Sequence, residues 1–331
     1  MQVKIVFVDL QYDYGVKARG RNIIGQHGFL NSFERLGHSV KPFYYDAYLP
    51  HNLVQLQVDL IAFIDNEVPD LVFFSLFQNQ FKIETLEYLK SKYVTVNWFG
   101  DDTWRFDSFT SRYANSFTYC VTTDKFSLFK YRQLEQYNVI YSQWAAIDSH
   151  TIPLTTHYEY DVTFVGGFHP YRKWFIDILI KRGINVQAFG HGWANGSVSA
   201  EVMNEIFRKS KINLNLSNSN SLDLRYLLSH WKAVPLLLRS KKNMSQIKAR
   251  NFEIPYFGGF QLTDYVPTIE TYFELGKEIV CYKDVDEAEL LIRYYLENDD
   301  EREAIKHQAH QKALHEHGYI HRLKAVLEHI V

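Results

Sequence analysis

The feature that most constrains this chain is an alternation of short apolar runs with longer amphipathic segments, which occurs twice. One series extends from residue 3 to residue 136, and a second begins at residue 161. Short β-rich runs separated by helical segments of about ten or more residues are typical of parallel strands joined by crossover helices. Between residues 144 and 160 the periodicity is lost. The sequence therefore predicts two α/β domains, residues 1–150 and 151–331, each with a doubly wound, Rossmann-like sheet.

The same pattern predicts where the individual elements lie. In the first domain it predicts strands at 3–9, 40–45, 71–75, 94–99 and 119–122, and helices at 23–36, 53–66, 83–92 and 125–136. In the second domain it predicts strands at 161–165, 185–189, 212–216, 260–262 and 278–282, helices at 171–182 and 244–257, and a helical tail over 285–330. Ligands of such sheets bind at the carboxyl ends of the strands, and we expect the two domains to face each other across a cleft at these ends.

Composition narrows the classes of function. The 36 Lys and Arg residues against 38 Asp and Glu residues leave a net charge of −2, without the basic balance of a nucleic-acid-binding protein. Two cysteines, Cys120 and Cys281, cannot build a disulfide framework or a thiolate metal site, so we expect a cytoplasmic protein. The longest apolar stretch, Leu71–Phe77, is far shorter than the roughly 20 residues that cross a bilayer. The chain starts in a strand, without a signal peptide pattern, and peripheral membrane contact stays open.

The densest basic run suits a small polyphosphate rather than a duplex. It consists of Arg239, Lys241, Lys242, Lys248 and Arg250. An arginine binds phosphate oxygens in bidentate fashion, and a lysine adds a point charge. Glu253 lies three residues after Arg250, where its carboxylate could accept both hydroxyls of a ribose. An intrahelical Arg250–Glu253 salt bridge explains the same spacing equally well.

A second candidate anion site follows the first strand of the second domain. Gly166 and Gly167 permit close backbone approach, and Arg172 and Lys173 lie in the first turn of the predicted helix. A purely structural glycine turn is an equally good interpretation. His191 and Trp193 follow the next strand and are assigned to a base or sugar pocket, although a packed aromatic in a glycine-rich turn explains them as well.

Acidic and aromatic residues after two strands of the first domain are the candidates for catalysis. Asp101 and Asp102 follow the strand at 94–99, and either could deprotonate a hydroxyl if the reaction inverts configuration. Capping of the helix that begins near Trp104 is the alternative for this pair. Tyr14 and Arg19, in the loop after the first strand, are assigned with Trp104 to a second substrate.

No metal site is expected. The tail carries six histidines spread over several turns without a fixed carboxylate partner, which predicts a solvated helix face; they are His307, His310, His315, His317, His321 and His329. Asp284-Val285-Asp286 has the form of a metal motif, but its place before a helix favours capping.

Several of these segments together resemble the CgeB-like, spore-maturation-type glycosyltransferases. The resemblance lies in residues 248–283 and 293–296, in 97–107 and 121–124, and in 161–167 with 189–193. It implies the GT-B fold, a nucleotide-sugar donor linked to UDP, GDP, CDP or dTDP, a glycan, protein or small-molecule acceptor, and no required metal or cofactor. Glu253 matches the second of two donor-binding glutamates in retaining GT-B enzymes, but the first is replaced by Ser245. Both stereochemical outcomes stay open, as do a sugar-nucleotide epimerase, a phosphorylase and a non-catalytic nucleotide-sugar-binding protein.

Overall fold

The structure is a computed structural model that describes residues 2–148, 153–217, 222–230, 235 and 245–330. Its residues form two compact units, Met1–Asp148 with Tyr319–Val331, and Ser149–Gly318. The first boundary lies close to the division expected from sequence. The C-terminal segment differs, because the sequence-based division placed it in the second domain and its contacts place it in the first unit.

The first unit contains a six-stranded parallel sheet with the order β2-β1-β3-β4-β5-β6. The strands are β1 Lys4–Asp9, β2 Ser39–Tyr44, β3 Leu71–Phe74, β4 Val94–Phe99, β5 Tyr119–Thr122 and β6 Val139–Tyr141. The helices are α1 Asn31–Arg35, α2 Leu53–Glu67, α3 Ile83–Lys92, α4 Asp102–Arg105, α5 Ser111–Tyr113, α6 Ser127–Gln133 and, at the C-terminus, α13 Tyr319–Ile330.

Apolar side chains cover both faces of this sheet, which is why its strands read as continuous apolar runs. Successive residues of β1 point to opposite faces: Val6 and Val8 enter one buried cluster, while Ile5 and Phe7 enter another. The second cluster also contains Tyr319 and Leu323 of α13. The last helix therefore completes the core of the first unit.

The second unit contains a five-stranded parallel sheet with the order β11-β10-β9-β7-β8. Its strands are β7 Tyr160–Val165, β8 Val186–Phe189, β9 Ser210–Asn215, β10 Gln261–Asp264 and β11 Val280–Tyr282. Its helices are α7 Pro170–Lys181, α8 Ala200–Arg208, α9 Leu224–Ser229, α10 Arg250–Tyr256, α11 Val285–Glu297 and α12 Asp299–Glu316. The predicted fold, two parallel α/β units with a helical C-terminal region, is confirmed.

Two predicted helices differ from the structure. Residues 24–30 wind as a π-helix before α1, so the continuous helix expected over 23–36 is divided. The helix expected over 244–257 begins only at Arg250, and just before it the Asn251 carboxamide oxygen accepts the Lys248 backbone N–H at 3.0 Å. Residue 244 lies outside the described residues.

Among the residues that the structure describes, no helix has both the length and the apolar composition that crossing a membrane requires.

Leu323→Ala is expected to lower the free energy of unfolding by about 2–5 kcal/mol, because Leu323 is fully buried in the first unit and its loss leaves a cavity. Chemical denaturation followed by fluorescence measures the effect. Lys324→Ala, on the exposed side of the same helix, is the matched control and should change stability by less than about 0.5 kcal/mol. Equal stability of the two variants would contradict the placement of α13 in the core.

Candidate functional site

The carboxyl ends of the strands in the second unit bring two glycine-rich turns together. The Gly166 N–H donates to the Phe189 carbonyl at 2.9 Å, and the Phe168 N–H donates to the His191 carbonyl at 2.8 Å, so the β7–β8 pairing continues past both strands. A Cβ atom at Gly190 would lie 2.2 Å from the Gly166 carbonyl oxygen. Glycine is therefore required at residue 190 for the two turns to approach so closely.

Trp193 fixes this pair of turns from one side. Its indole Nε1 donates to the Gly166 carbonyl at 2.9 Å, and its ring packs against Phe164 and Phe168 with centroids 5.8 and 5.4 Å apart. This is the packed-aromatic arrangement that the sequence analysis left open. The His191 side chain is exposed beside it.

Arg172 lies at the same edge, in the first turn of α7. Its guanidinium donates to the Gly167 carbonyl at 2.9 Å and to the Leu216 carbonyl at 3.0 Å, while its buried Nε has no hydrogen-bond partner among the described residues. Burial lowers the pKa of Arg172; Asp264 opposes this, and the positive charge of Arg250 lowers it further. The charge of Arg250 thus acts on Arg172, although Glu253, 2.7 Å from Arg250, balances it in part.

The first turn of α7 is capped by the residue that precedes it. His169 caps the helix, since its Nδ1 accepts the Tyr171 N–H at 3.3 Å, and Pro170 occupies the first turn. Lys173, assigned to the same site from sequence, is exposed and pairs with Asp177 along the helix at 2.8 Å. Of the four residues predicted here, the structure brings Gly166, Gly167 and Arg172 together, whereas the Lys173 ammonium is held by Asp177.

Arg250 and Glu253 form the intrahelical ion pair that was one of the two interpretations. Arg250 Nη1 lies 2.7 Å from Glu253 Oε2, and its guanidinium packs over the Phe207 ring at 5.1 Å. The Arg250 and Glu253 side chains are 24% and 12% exposed, so both are largely buried but still reach the protein surface. Lys248 is half-buried just before α10. The other members of the basic run, Arg239, Lys241 and Lys242, lie outside the described residues.

A buried polar network that the sequence analysis did not single out holds α10 against the sheet edge. The Asn251 Nδ2 donates to Thr263 Oγ1 at 3.3 Å, and the Asn215 Nδ2 donates to the same hydroxyl at 3.2 Å. Ser217 follows β9, and its backbone N–H donates to Asp264 at 2.8 Å. In the sequence, asparagines at the ends of apolar runs were the only indication of this network, and asparagine is equally common in turns.

In the first unit, the two neighbouring aspartates after β4 have different surroundings. Asp102 is 1% exposed and accepts hydrogen bonds from Thr110 at 2.6 Å, Thr122 at 2.6 Å and Tyr131 at 2.7 Å. Burial raises the pKa of Asp102 to about 6, although these hydroxyls lower it. Asp101 is half-buried and precedes α4 without a side-chain capping bond. Of the two carboxylates, Asp101 is the one that a substrate could reach.

Asp9, at the carboxyl end of β1, is an acidic residue that the sequence analysis did not select. Its carboxylate is 3% exposed and accepts a hydrogen bond from Asn22 at 3.0 Å. Burial raises the pKa of Asp9 to about 7, with a smaller contribution from the negative charge of Asp46. A Cβ atom at Gly25 would lie 2.0 Å from this carboxylate, so glycine is required there. The sequence feature that could have identified Asp9 is an acidic residue at the end of an apolar strand.

Two of the residues assigned to a second substrate lie beside a pocket of the first unit. Tyr14 packs edge-on against Phe77, with centroids 5.6 Å apart, and Arg19 lies over the Tyr14 ring at 4.5 Å. Phe77 and Arg105 line a pocket of about 370 Å³. The third assigned residue, Trp104, lies under the Arg105 guanidinium at 5.7 Å. The structure thus places all three around one site.

Among the described residues, no group of three or more His, Cys, Asp or Glu side chains is arranged to hold a metal ion. Asp284 caps α11 by accepting the N–H groups of Asp286 and Glu287, as expected. The prediction of a solvated histidine face is wrong for two residues: His310 and His317 are buried, 3.0 and 3.1 Å from backbone carbonyl oxygens.

Asp9→Asn is expected to change how stability depends on pH. Because its pKa is raised in the folded state, Asp9 binds its proton more tightly folded than unfolded, so its contribution is lost as the pH rises from about 4 to about 7. The wild type should lose about 1–4 kcal/mol relative to Asp9→Asn over this range, as measured by denaturation at each pH. Asp70→Asn, at an exposed carboxylate, is the control. A constant difference between wild type and Asp9→Asn would contradict this assignment.

Comparisons with known proteins agree with this architecture. Residues 172–328, just under half of the chain, match the model of a family described as glycosyl transferase-like. No curated protein matches the sequence. The fold is similar to that of a sucrose-phosphate synthase from Thermosynechococcus elongatus, with a TM-score of 0.65, 8% identity, and 99% of each chain covered.

Two further solved structures have the same fold. A glycosyltransferase from Rickettsia africae aligns with a TM-score of 0.61 and 9% identity, over 99% of this chain and 97% of that one. Anabaena HepE, solved in complex with UDP and glucose, aligns with a TM-score of 0.56 and 11% identity over the whole of both chains. Residues 172–328 therefore match a glycosyl transferase-like domain, and the chain has the GT-B fold of these glycosyltransferases.

Proposed function

We propose that the enzyme transfers a sugar from a nucleotide-sugar donor, held by the second unit, to a hydroxyl group of an acceptor held by the first unit. The observation that carries the donor assignment is the pair Arg172 and Arg250. Their positive charges act on each other at the carboxyl edge of the second sheet, beside the first turn of α7. Glu253 pairs with Arg250 and Asp264 acts on Arg172, so a diphosphate that binds there would compete with these carboxylates for the two guanidinium groups.

The leaving diphosphate is stabilised in this proposal by protein groups. As the acceptor oxygen bonds to the anomeric carbon, the bond from that carbon to the phosphate oxygen breaks, and its electron pair leaves with the diphosphate. Arg172, Arg250, Lys248 and the first turn of α7 would stabilise this developing charge in the place of a metal ion. Gly166 and Gly167 would allow the backbone to approach the phosphates.

The proton of the attacking hydroxyl goes to a different acceptor in each stereochemical course. For inversion we assign it to Asp101, because Asp102 is buried and already accepts three hydroxyl groups. For retention the departing phosphate takes the proton, and Asp101 positions the acceptor instead. Ser245, which stands where retaining relatives have a glutamate, does not decide between them.

The donor assignment is supported for a uridine nucleotide, since HepE of Anabaena was solved with UDP. The Glu253 carboxylate is then assigned to the ribose hydroxyls, which it binds in place of Arg250 or together with it. His191 is assigned to the exposed side of the sugar or base. The CgeB-like subfamily and a cytoplasmic location are part of the same proposal. An epimerase or a binding protein would use the same donor site, but the glycosyl transferase-like match favours transfer.

Arg250→Ala and Glu253→Ala are each expected to weaken UDP binding at least about tenfold, because each removes a direct contact to the nucleotide; a tenfold change corresponds to about 1.4 kcal/mol. Isothermal titration with UDP measures it, and circular dichroism checks that the variants fold. Arg293→Ala is the matched control, since it breaks a comparable ion pair with Glu289 on α11. Unchanged UDP affinity in both variants would leave the pair with a structural role only.

Glu253→Gln separates the two roles of the carboxylate. The amide keeps the size of the side chain but loses its charge, so a ribose contact should weaken while the protein stays folded. We expect UDP affinity to fall and affinity for inorganic pyrophosphate, which has no ribose, to change less than threefold (roughly 0.7 kcal/mol). If both affinities fall equally, Glu253 acts only by positioning Arg250.

A further inference from the structure

The pocket of the first unit has the volume and lining of a ligand site. The loops after β2, β3 and β4 enclose about 370 Å³, within the range of about 300–1,000 Å³ that small-molecule pockets occupy. Leu49, Phe77 and Phe109 supply apolar walls, and Gln78 and Asn79 supply exposed amides. These loops follow the carboxyl ends of their strands, where ligands of parallel sheets bind.

One wall of the pocket is held in place by buried amides. Gln80 is 5% exposed, its Oε1 accepts the Gln78 N–H at 2.6 Å, and its side chain also interacts with the Tyr45 hydroxyl. Gln57 fixes the main chain at this point, because its Nε2 donates to the Gln80 carbonyl at 2.9 Å and its Oε1 accepts the Lys82 N–H at 3.0 Å. The exposed amides of Gln78 and Asn79, carried by this rigid segment, are the ones that a ligand can reach.

The pocket also contains one guanidinium group. Arg105 donates through Nη2 to the Phe77 carbonyl at 2.8 Å and lies over the Phe109 ring at 4.0 Å, which fixes its plane. Within the described part of the chain this guanidinium has no ion-pair partner, and Asp101 and Asp102 attract it only from a distance. A fixed, half-buried guanidinium is suited to binding a carboxylate or phosphate through two parallel hydrogen bonds.

We propose that this pocket is the acceptor subsite and that the acceptor is a saccharide carrying a carboxylate or phosphate group. The anionic group pairs with Arg105, and ring hydroxyls bond with the amides of Gln78 and Asn79. The apolar face of the ring packs on Phe77, which Tyr14 supports from the other side. That the bound saccharide is the acceptor rests on the proposed transfer reaction. Its binding to the pocket can be measured without turnover.

Direct binding tests the inference without a donor. Isothermal titration, or saturation-transfer NMR, is carried out on the full chain with three probes that share one ring: glucose, glucuronate and glucose 6-phosphate. We expect at least one acidic probe to bind at least about tenfold more tightly than glucose. The two acidic probes distinguish a carboxylate from a phosphate. Equal binding of all three, or binding of none, would overturn the proposal.

Variants locate the binding. Arg105→Gln should abolish the preference for the acidic probe, Arg105→Lys should restore part of it, and Ser108→Trp, which fills the pocket from its exposed rim, should weaken all probes. Arg112→Gln, seven residues further on and exposed, is the matched control. A preference that survives Arg105→Gln overturns the inference.

UDP affinity separates this inference from the proposed function. It should stay within about twofold of wild type in Arg105→Gln. If it falls together with binding of the acidic probe, Arg105 belongs to the donor site and the inference is wrong, while the transferase assignment stands. If the wild type binds no UDP at all, the proposed donor site fails, and the probe titrations still decide the pocket.

Discussion

Parallel pairing with both sheet faces buried is the constraint on which the rest of this structure depends. Because helices cover each face, the strands are largely apolar along their length, and the candidate acidic side chains lie where the strands end. Asp9, Asp101 and Asp102 follow strands of the first sheet in this way. Gly166 and Asp264 stand at the same edge of the second sheet. The candidate sites are therefore consequences of the topology.

At these edges the same residue types serve either structure or chemistry, and their partners distinguish the two. Asp102 is saturated by three hydroxyl groups, which makes it part of the core, whereas its neighbour Asp101 remains accessible. Arg172 ties two turns together through their carbonyl groups, yet it also brings its charge close to that of Arg250. Glu253, 2.7 Å from Arg250, balances part of that charge.

Ten of the eleven described strands and their parallel pairing were predictable because apolar periodicity is a local signal, whereas β6, Val139–Tyr141, was not predicted. The long-range contacts of the C-terminal helix were not predictable. Nothing in the pattern of α13 indicates that it packs against β1 rather than continuing the second unit, since an amphipathic helix does not specify its partner. The start of α10 at Arg250 was not indicated by helix propensity either.

The candidate sites were predictable to a similar degree. Glycine turns and charged residues after strands identified the edge of the second sheet, because turn chemistry is written locally. For the acceptor pocket, the sequence identified the neighbouring residues Tyr14, Arg19 and Trp104 but not the lining residues Gln80 and Arg105. These two come from loops that are 25 residues apart in the sequence, and they meet only in the folded protein. The raised pKa of Asp9 likewise comes from burial, which no single residue encodes.

The central claim is that a diphosphate binds at the carboxyl edge of the second sheet between two arginines. A crystal structure of the protein with UDP measures this most directly. The account predicts phosphate oxygens within hydrogen-bonding distance of the Arg172 or Arg250 guanidinium and of the first turn of α7. Well-ordered UDP bound elsewhere, with both arginines still held only by their protein partners, would contradict it.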